Sequence, residues 1–126
     1  KTNEIVWNST GICFSLYKRL WKMKTDVLNQ LKDALRKLLP EGSHAYLYGS
    51  QARGDARPDS DWDILILLDK NKIEAEDYDN VSYPLVELGW SLNECISPVL
   101  YTVKDWMKYH FTLFFHNVKD EGILLV

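Results

Sequence analysis

The sequence predicts one α/β (α+β) domain, a small mixed β-sheet packed by helices. Three observations carry that prediction. Apolar residues recur at spacings of three and four before Pro40. Three short apolar runs, His44–Tyr48, Asp61–Leu68 and Ile96–Tyr101, are bounded by turn residues, as strands are. Helical and strand patterns then alternate except for one early strand–strand pair, which suits a sheet with both parallel and antiparallel neighbours. At 126 residues the chain is long enough for one domain that buries roughly two thirds of its unfolded surface.

Taken in order, residues 1–22 fit the pattern poorly and leave two readings. Met23 is the natural start and the preceding residues lie upstream of it, or Phe14, Tyr17, Leu20 and Trp21 share the face of an N-terminal helix. The domain proper is therefore placed at residues 23–126. Val27, Leu28, Leu31, Leu35, Leu38 and Leu39 define a helix with Thr25 as its N-cap and Asp26 near its positive end. Pro40-Glu41-Gly42 ends it. His44–Tyr48 is the first strand, Ser50–Arg53 a short helix stopped by Gly54, and Gly54–Ser60 a return loop. Asp61–Leu68 is the second strand. Lys70–Asp79 reads as an acidic loop, followed from Tyr78 by a helix with Val81, Leu85, Leu88 and Leu92 on one side. Pro84 inside it implies a kink or a later start. Ile96–Tyr101 is the third strand, with Pro98 near its beginning. Thr102 and Asp105 open a final helical region in capping-box fashion, Gly122 looks like its C-cap, and Ile123–Val126 can add a last short strand.

Composition excludes some classes of function. The formal net charge of −3 does not suit a protein that tracks a nucleic-acid backbone, although one nucleotide needs only a local positive site. Cys13 and Cys95 lack metal-ligand spacing and read as reduced thiols. No apolar run approaches the ~20 residues of a membrane span, and the N-terminus lacks the order of a secretory signal, so a cytoplasmic protein is expected.

The chemistry concentrates in His44–Asp69. Asp61 and Asp63, two apart on a strand, project from one face. The run they open is apolar on both faces, as in a buried strand. Two like charges there are costly unless neutralised, and a divalent cation held by carboxylates is the usual solution. Gly49 lets a ligand approach the backbone, the start of the short helix after it offers N–H groups to an anion, and Ser50 adds a hydroxyl. Arg53 and Arg57 supply guanidinium groups suited to phosphate oxygens. A phosphate cradle beside a Mg²⁺ site is apparatus for phosphoryl or nucleotidyl transfer. Trp62, between the aspartates, faces away from them into the core.

Each part alone is weak; their combination is specific. Gly49-Ser50, ten intervening residues and Asp61-Trp62-Asp63, with the Ala52-Arg53-Gly54 and Asp59-Ser60-Asp61 flanks, resemble the minimal nucleotidyltransferases of the DNA polymerase β-like superfamily. The resemblance covers roughly residues 23–125, closing helix included. It implies the nucleotidyltransferase core fold, a triphosphate held by Gly49 and Ser50, and Mg²⁺ held by Asp61 and Asp63. It implies too an acceptor hydroxyl that attacks the α-phosphate of an NTP, ATP by family habit, with release of pyrophosphate. Minimal members are often paired with a small helical HEPN-type protein, which implies a toxin–antitoxin pair in which AMP passes to a hydroxyl of the partner. The sequence departs from the family at one point. The third carboxylate expected on the next strand falls at Ser97, with Glu94 just before the strand as a poor substitute.

Ser97 gives weight to a rival of another class, a non-catalytic nucleotide- or metal-binding protein that blocks its partner by contact. A small-molecule nucleotidyltransferase of the aminoglycoside-modifying kind is a third reading, disfavoured because the sequence leaves no length for an acceptor domain. Trp106, Tyr109, Phe111, Phe114 and Phe115 are either core or a surface for the partner.

Overall fold

A computed structural model describes residues 14–126, with side chains from Thr25 onward. The chain divides into two compact units, residues 1–31 and 32–126, and every strand lies in the second. Helix α1 spans Phe14–Leu38. Its apolar stripe includes the buried Val27, Leu31 and Leu35, while Lys32 and Lys37 lie outside that stripe and Arg36 pairs with Asp33 in solvent. Because the helix begins at Phe14, Thr25 is internal to it and cannot be its N-cap. The spacing of Phe14, Tyr17, Leu20 and Trp21 carries the helical period upstream of the predicted start. Whether Met23 is the natural start turns on a segment whose first thirteen residues lie outside the described ones, as does Cys13.

Strands β1 (His44–Tyr48), β2 (Trp62–Leu68), β3 (Ile96–Thr102) and β4 (Ile123–Leu124) form one sheet in the order β3-β2-β1-β4. Strand β1 is antiparallel to both neighbours and β2 is parallel to β3, so the sheet is mixed as expected. Strand β2 is central and buried along almost its whole length, from Trp62 through Leu68 except Asp63. That burial accounts for the unbroken apolar run in the sequence. Asp61 lies just outside the strand and is exposed, because the ladder to β3 opens with Trp62 N–H donating to the Cys95 carbonyl, at 2.8 Å. The expectation that both aspartates are buried is corrected accordingly: Asp63 alone is partly buried.

Two further stretches differ from the expected elements. The segment predicted as a loop to Asp79 is already helical at α3 (Ala75–Asp77). Glu74 and Asp77 form a reciprocal capping box, and Lys70 bridges both acids at 3.2 and 2.9 Å. An acidic cluster that reads as solvated loop is therefore a charged helix start. A π-helical turn, Tyr78–Ser82, leads into α4 (Tyr83–Ser91), which places Pro84 in the first turn of α4, directly after the point where the π-turn hands over to α-helix. The final helical region is two helices, α5 (Val103–Lys108) and α6 (Leu113–Glu121), each with a threonine N-cap. Thr102 Oγ1 accepts from Asp105 N–H at 3.0 Å and Thr112 Oγ1 from Phe115 N–H at 3.2 Å. These two helices contribute Trp106, Val118, Phe114 and Phe115 to a cluster with Leu65, Leu67, Tyr46, Tyr48, Val99 and Tyr101. By strand alternation this is the sheet face on which Asp63 also lies.

Candidate active site

The short helix α2 (Ser50–Arg53) follows β1 through Gly49, whose φ of 76° lies in the left-handed region. A Cβ at Gly49 would collide with the Asp63 carboxylate. Glycine is required twice over here, by conformation and by the close approach of that acid. Register explains the proximity. Tyr48 is the antiparallel partner of Asp63, so the residue after β1 meets the residue that opens β2's inward face. The Gly49 carbonyl accepts from Ala52 and Arg53, and the Ser50 carbonyl from Gly54 and Asp55. The N–H groups of Ser50 and Gln51 precede the first intrahelical bond, and the Ser50 hydroxyl makes no hydrogen bond among the described residues. Gly54, at φ 85°, closes α2.

The ten-residue return is folded back on itself. Arg57 N–H donates to Ser60 Oγ at 2.8 Å, Ser60 N–H to the Arg57 carbonyl at 3.0 Å, and Gln51 Nε2 to the Ser60 carbonyl at 3.3 Å. These bonds deliver Asp61 beside Asp63. Burial pushes the Asp63 carboxyl above its ordinary range, the negative charge of Asp61 pushes it further, Arg53 pulls it down, and Glu121 raises it again. Burial, with Asp63 and Tyr101 nearby, lifts the neighbouring Tyr48 phenol to about 12. Tyr48 is therefore neutral at ordinary pH and sits edge-on to Phe114 at 5.2 Å.

The sequence-predicted residues fall into three groups. Gly49, Ser50, Asp61 and Asp63 converge at the end of the sheet where β1 leaves and β2 begins. Arg53 is close enough to act on Asp63, but its guanidinium is already paired, Nη1 to Glu121 at 3.0 Å and Nε to Asp55 at 3.3 Å. Arg57 is exposed on the return loop, where its backbone closes the turn. Ser97 is the parallel partner of Asp63, so the position expected for a third acid is occupied by a hydroxyl. Glu94 accepts from the Trp62 indole at 2.9 Å. Trp62 is buried on the face opposite Asp63, which turns Glu94 away from the site. The Cys95 thiol is raised by partial desolvation and by its hydrogen bond with Asp61.

Glu121 was not singled out by sequence reasoning. It lies 68 residues from Arg53, at the end of α6, and the packing of α6 on the sheet together with the pairing of β4 with β1 brings it back to the site. No local spacing signals such a contact.

Among the described residues no three His, Cys, Asp or Glu side chains converge on one metal position. Two adjacent carboxylates with excess negative charge nonetheless suit Mg²⁺, which takes one or two carboxylates and completes its octahedron with water and substrate phosphates.

Comparison with known proteins bears on the fold and the family. No curated protein matches the sequence. Several solved structures share the fold. One, a toxin–antitoxin complex with AMP-PNP, is 22% identical with a TM-score of 0.57, covering 79% of this chain and 72% of that one. Another is a mutant MntA–HpeT toxin–antitoxin complex in which two aspartates two positions apart are replaced by glutamate; it is 19% identical with a TM-score of 0.55, covering 79% and 71%. A third, a tri-AMPylated HEPN toxin from Shewanella oneidensis in complex with an MNT antitoxin, is 18% identical with a TM-score of 0.52, covering 82% and 71%. The nucleotidyltransferase domain family matches residues 28–112, more than half of the sequence and the whole of the Gly49–Asp63 stretch, and the chain belongs to that family.

Proposed function

We propose that this chain, through residues 23–126, transfers a nucleoside monophosphate, AMP, from ATP to a hydroxyl on a partner protein, and that it serves as the antitoxin of a HEPN/MNT-type pair. The observation that carries the reading is the packing of the Asp63 carboxylate against Gly49, which sets an acid pair beside the start of α2. Gly49 and Ser50 hold the triphosphate through backbone N–H groups and the Ser50 hydroxyl. Asp61 and Asp63 hold Mg²⁺, which when bound neutralises phosphate charge. Arg53 adds a guanidinium to the phosphates, and Arg57, on the exposed loop, supplies longer-range attraction. A bond then forms between the acceptor oxygen and the α-phosphorus while the bond to the β-phosphate oxygen breaks. Pyrophosphate leaves, and the acceptor proton passes to solvent or to a base brought by the partner.

Similarity to complexes of antitoxins with HEPN toxins supports the choice of partner. The exposed residues Phe111 and Leu113, at 74% and 75%, are suited to meet it, because Trp106, Phe114 and Phe115 are committed to the core cluster. The absence of any membrane-spanning helix among the described residues is compatible with a cytoplasmic setting.

Ser97 beside Asp63 favours a second reading, a non-catalytic protein that holds Mg²⁺–nucleotide and blocks its partner by contact. One experiment separates them. With Mg²⁺ and α-labelled ATP, the enzyme labels its co-expressed partner, and Asp63→Asn reduces labelling at least about a hundredfold. Full protection against the toxin by an Asp61→Ala/Asp63→Ala variant, without any label transfer, would establish the contact mechanism instead.

A further inference from the structure

We propose that Glu121 is a positioning residue for nucleotide binding: from the end of α6 it fixes the Arg53 guanidinium so that the remaining N–H groups serve the triphosphate. The inference rests on the proposed function, in which Arg53 meets phosphate.

Arg53 needs an external hold. It is the last residue of a four-residue helix, followed at once by left-handed Gly54, and its side chain is about half exposed. A long cationic side chain in that setting samples many rotamers, and each one frozen on ligand binding weakens affinity. Two carboxylates restrict it. Asp55 is itself 64% exposed and lies at 3.3 Å, a weak and screened contact. Glu121 is only 19% exposed and lies at 3.0 Å, the geometry of a strong charge-assisted bond.

Glu121 can hold because it is held. Gly122 N–H closes α6 on the Val118 carbonyl at 2.7 Å, and a side chain at Gly122 would collide with that carbonyl. The next residue, Ile123, pairs with Leu47 on β1, two positions before Gly49. The anchor of Arg53 and the turn that would cradle phosphate are thus fixed to the same strand.

The donors divide accordingly. A guanidinium carries five N–H groups in a rigid fork. One on Nε and one on Nη1 are engaged by Asp55 and Glu121. Among the described residues Nη2 and the second N–H of Nη1 have no partner, and they suit phosphate oxygens. The Glu121 carboxylate is engaged by Arg53 at 3.0 Å, and its role here is to hold that guanidinium. Arg53 ends the helix that Gly49 opens, and Tyr48 just before Gly49 is the register partner of Asp63, which places the Arg53–Glu121 pair at the same end of the sheet as the site.

The test measures binding of Mg²⁺–AMP-PNP by calorimetry, with kcat and KM for label transfer to the partner and thermal unfolding of each variant. Glu121→Ala should raise Kd and KM for nucleotide about tenfold, the loss expected of one charge-assisted hydrogen bond, with kcat changed far less. Glu121→Gln, whose amide oxygen still accepts from Nη1, should recover part of the loss. In an Arg53→Ala background Glu121→Ala should add nothing. The exchange Arg53→Glu/Glu121→Arg should regain the melting temperature lost by either single change yet leave nucleotide binding weak, because the cation has moved to α6. Wild-type Kd in Glu121→Ala alongside weakened binding in Arg53→Ala would overturn the role of Glu121 and leave the site reading intact. Wild-type Kd in Arg53→Ala, Glu121→Ala and Asp63→Asn alike would overturn both. Recovery of nucleotide affinity in the exchanged variant would show that the pair acts only structurally and would overturn the proposal as well.

Discussion

At the scale of single residues, the contact between Gly49 and Asp63 ties stability to function. Gly49→Ala forces a side chain into a left-handed conformation and against the carboxylate. Its expected cost is about 1–3 kcal/mol in urea-induced unfolding, with label transfer lost more completely than stability. Asp63 works in the other direction. Its folded-state carboxyl titrates above the ordinary 3.8, so between those two values the folded state binds more protons than the unfolded. The stability that Asp63 contributes is therefore fully present below 3.8 and is lost as pH rises through the raised value. Asp63→Asn should flatten that part of the stability–pH curve and be at least as stable as wild type at pH 7 without ligand, while being inactive. A variant clearly less stable than wild type at pH 7 would contradict this account of Asp63. The acid pair was legible because its signal is local, two aspartates ten residues after Gly-Ser. The partial exposure of the pair was not, because it depends on where the β2–β3 ladder begins.

At the scale of elements, strands were easier to read than helix ends. Burial of β2 on both faces leaves an apolar run that no loop would carry, and β1 and β3 are bounded by Gly42, Gly49 and the turn at Asn93, whose φ is 58°. The helices went wrong where polar residues act in concert. Glu74, Asp77 and Lys70 look like solvated loop until the capping box brings them together. The break between α5 and α6 is equally hidden, since Tyr109–Phe111 continue the aromatic pattern while Thr112 starts a new helix. The caps give a quantitative check. Thr102 is fully buried and its hydroxyl receives Asp105 N–H, so Thr102→Ala should cost about 1–2 kcal/mol. Thr112→Ala, whose cap is longer and more exposed, should fall at the lower end of that range in the same chemical unfolding experiment.

At the scale of the whole molecule, the sheet order sets what the C-terminal segment can do. Adding β4 beside β1, on the side away from β2, covers an edge that would otherwise be open and returns Glu121 to the site. The same helices that carry Glu121 also sort their aromatic residues into two sets, which the sequence could not separate because core and surface aromatics share one composition. Trp106 is 7% exposed and packs on Phe114 and Phe115 at 5.3 and 5.1 Å between ring centres. Trp106→Ala should cost about 3–5 kcal/mol, unfolding the domain before it says anything about a partner. Phe111 and Leu113 lie outside that cluster, so replacing both with aspartate should change stability by no more than about 0.5 kcal/mol each. If this surface meets the partner protein, the double variant should keep its affinity for Mg²⁺–AMP-PNP yet lose co-purification with the toxin, label transfer and protection together. Retention of the complex by a stably folded Phe111→Asp/Leu113→Asp variant would move the interface elsewhere and leave the nucleotide site untouched.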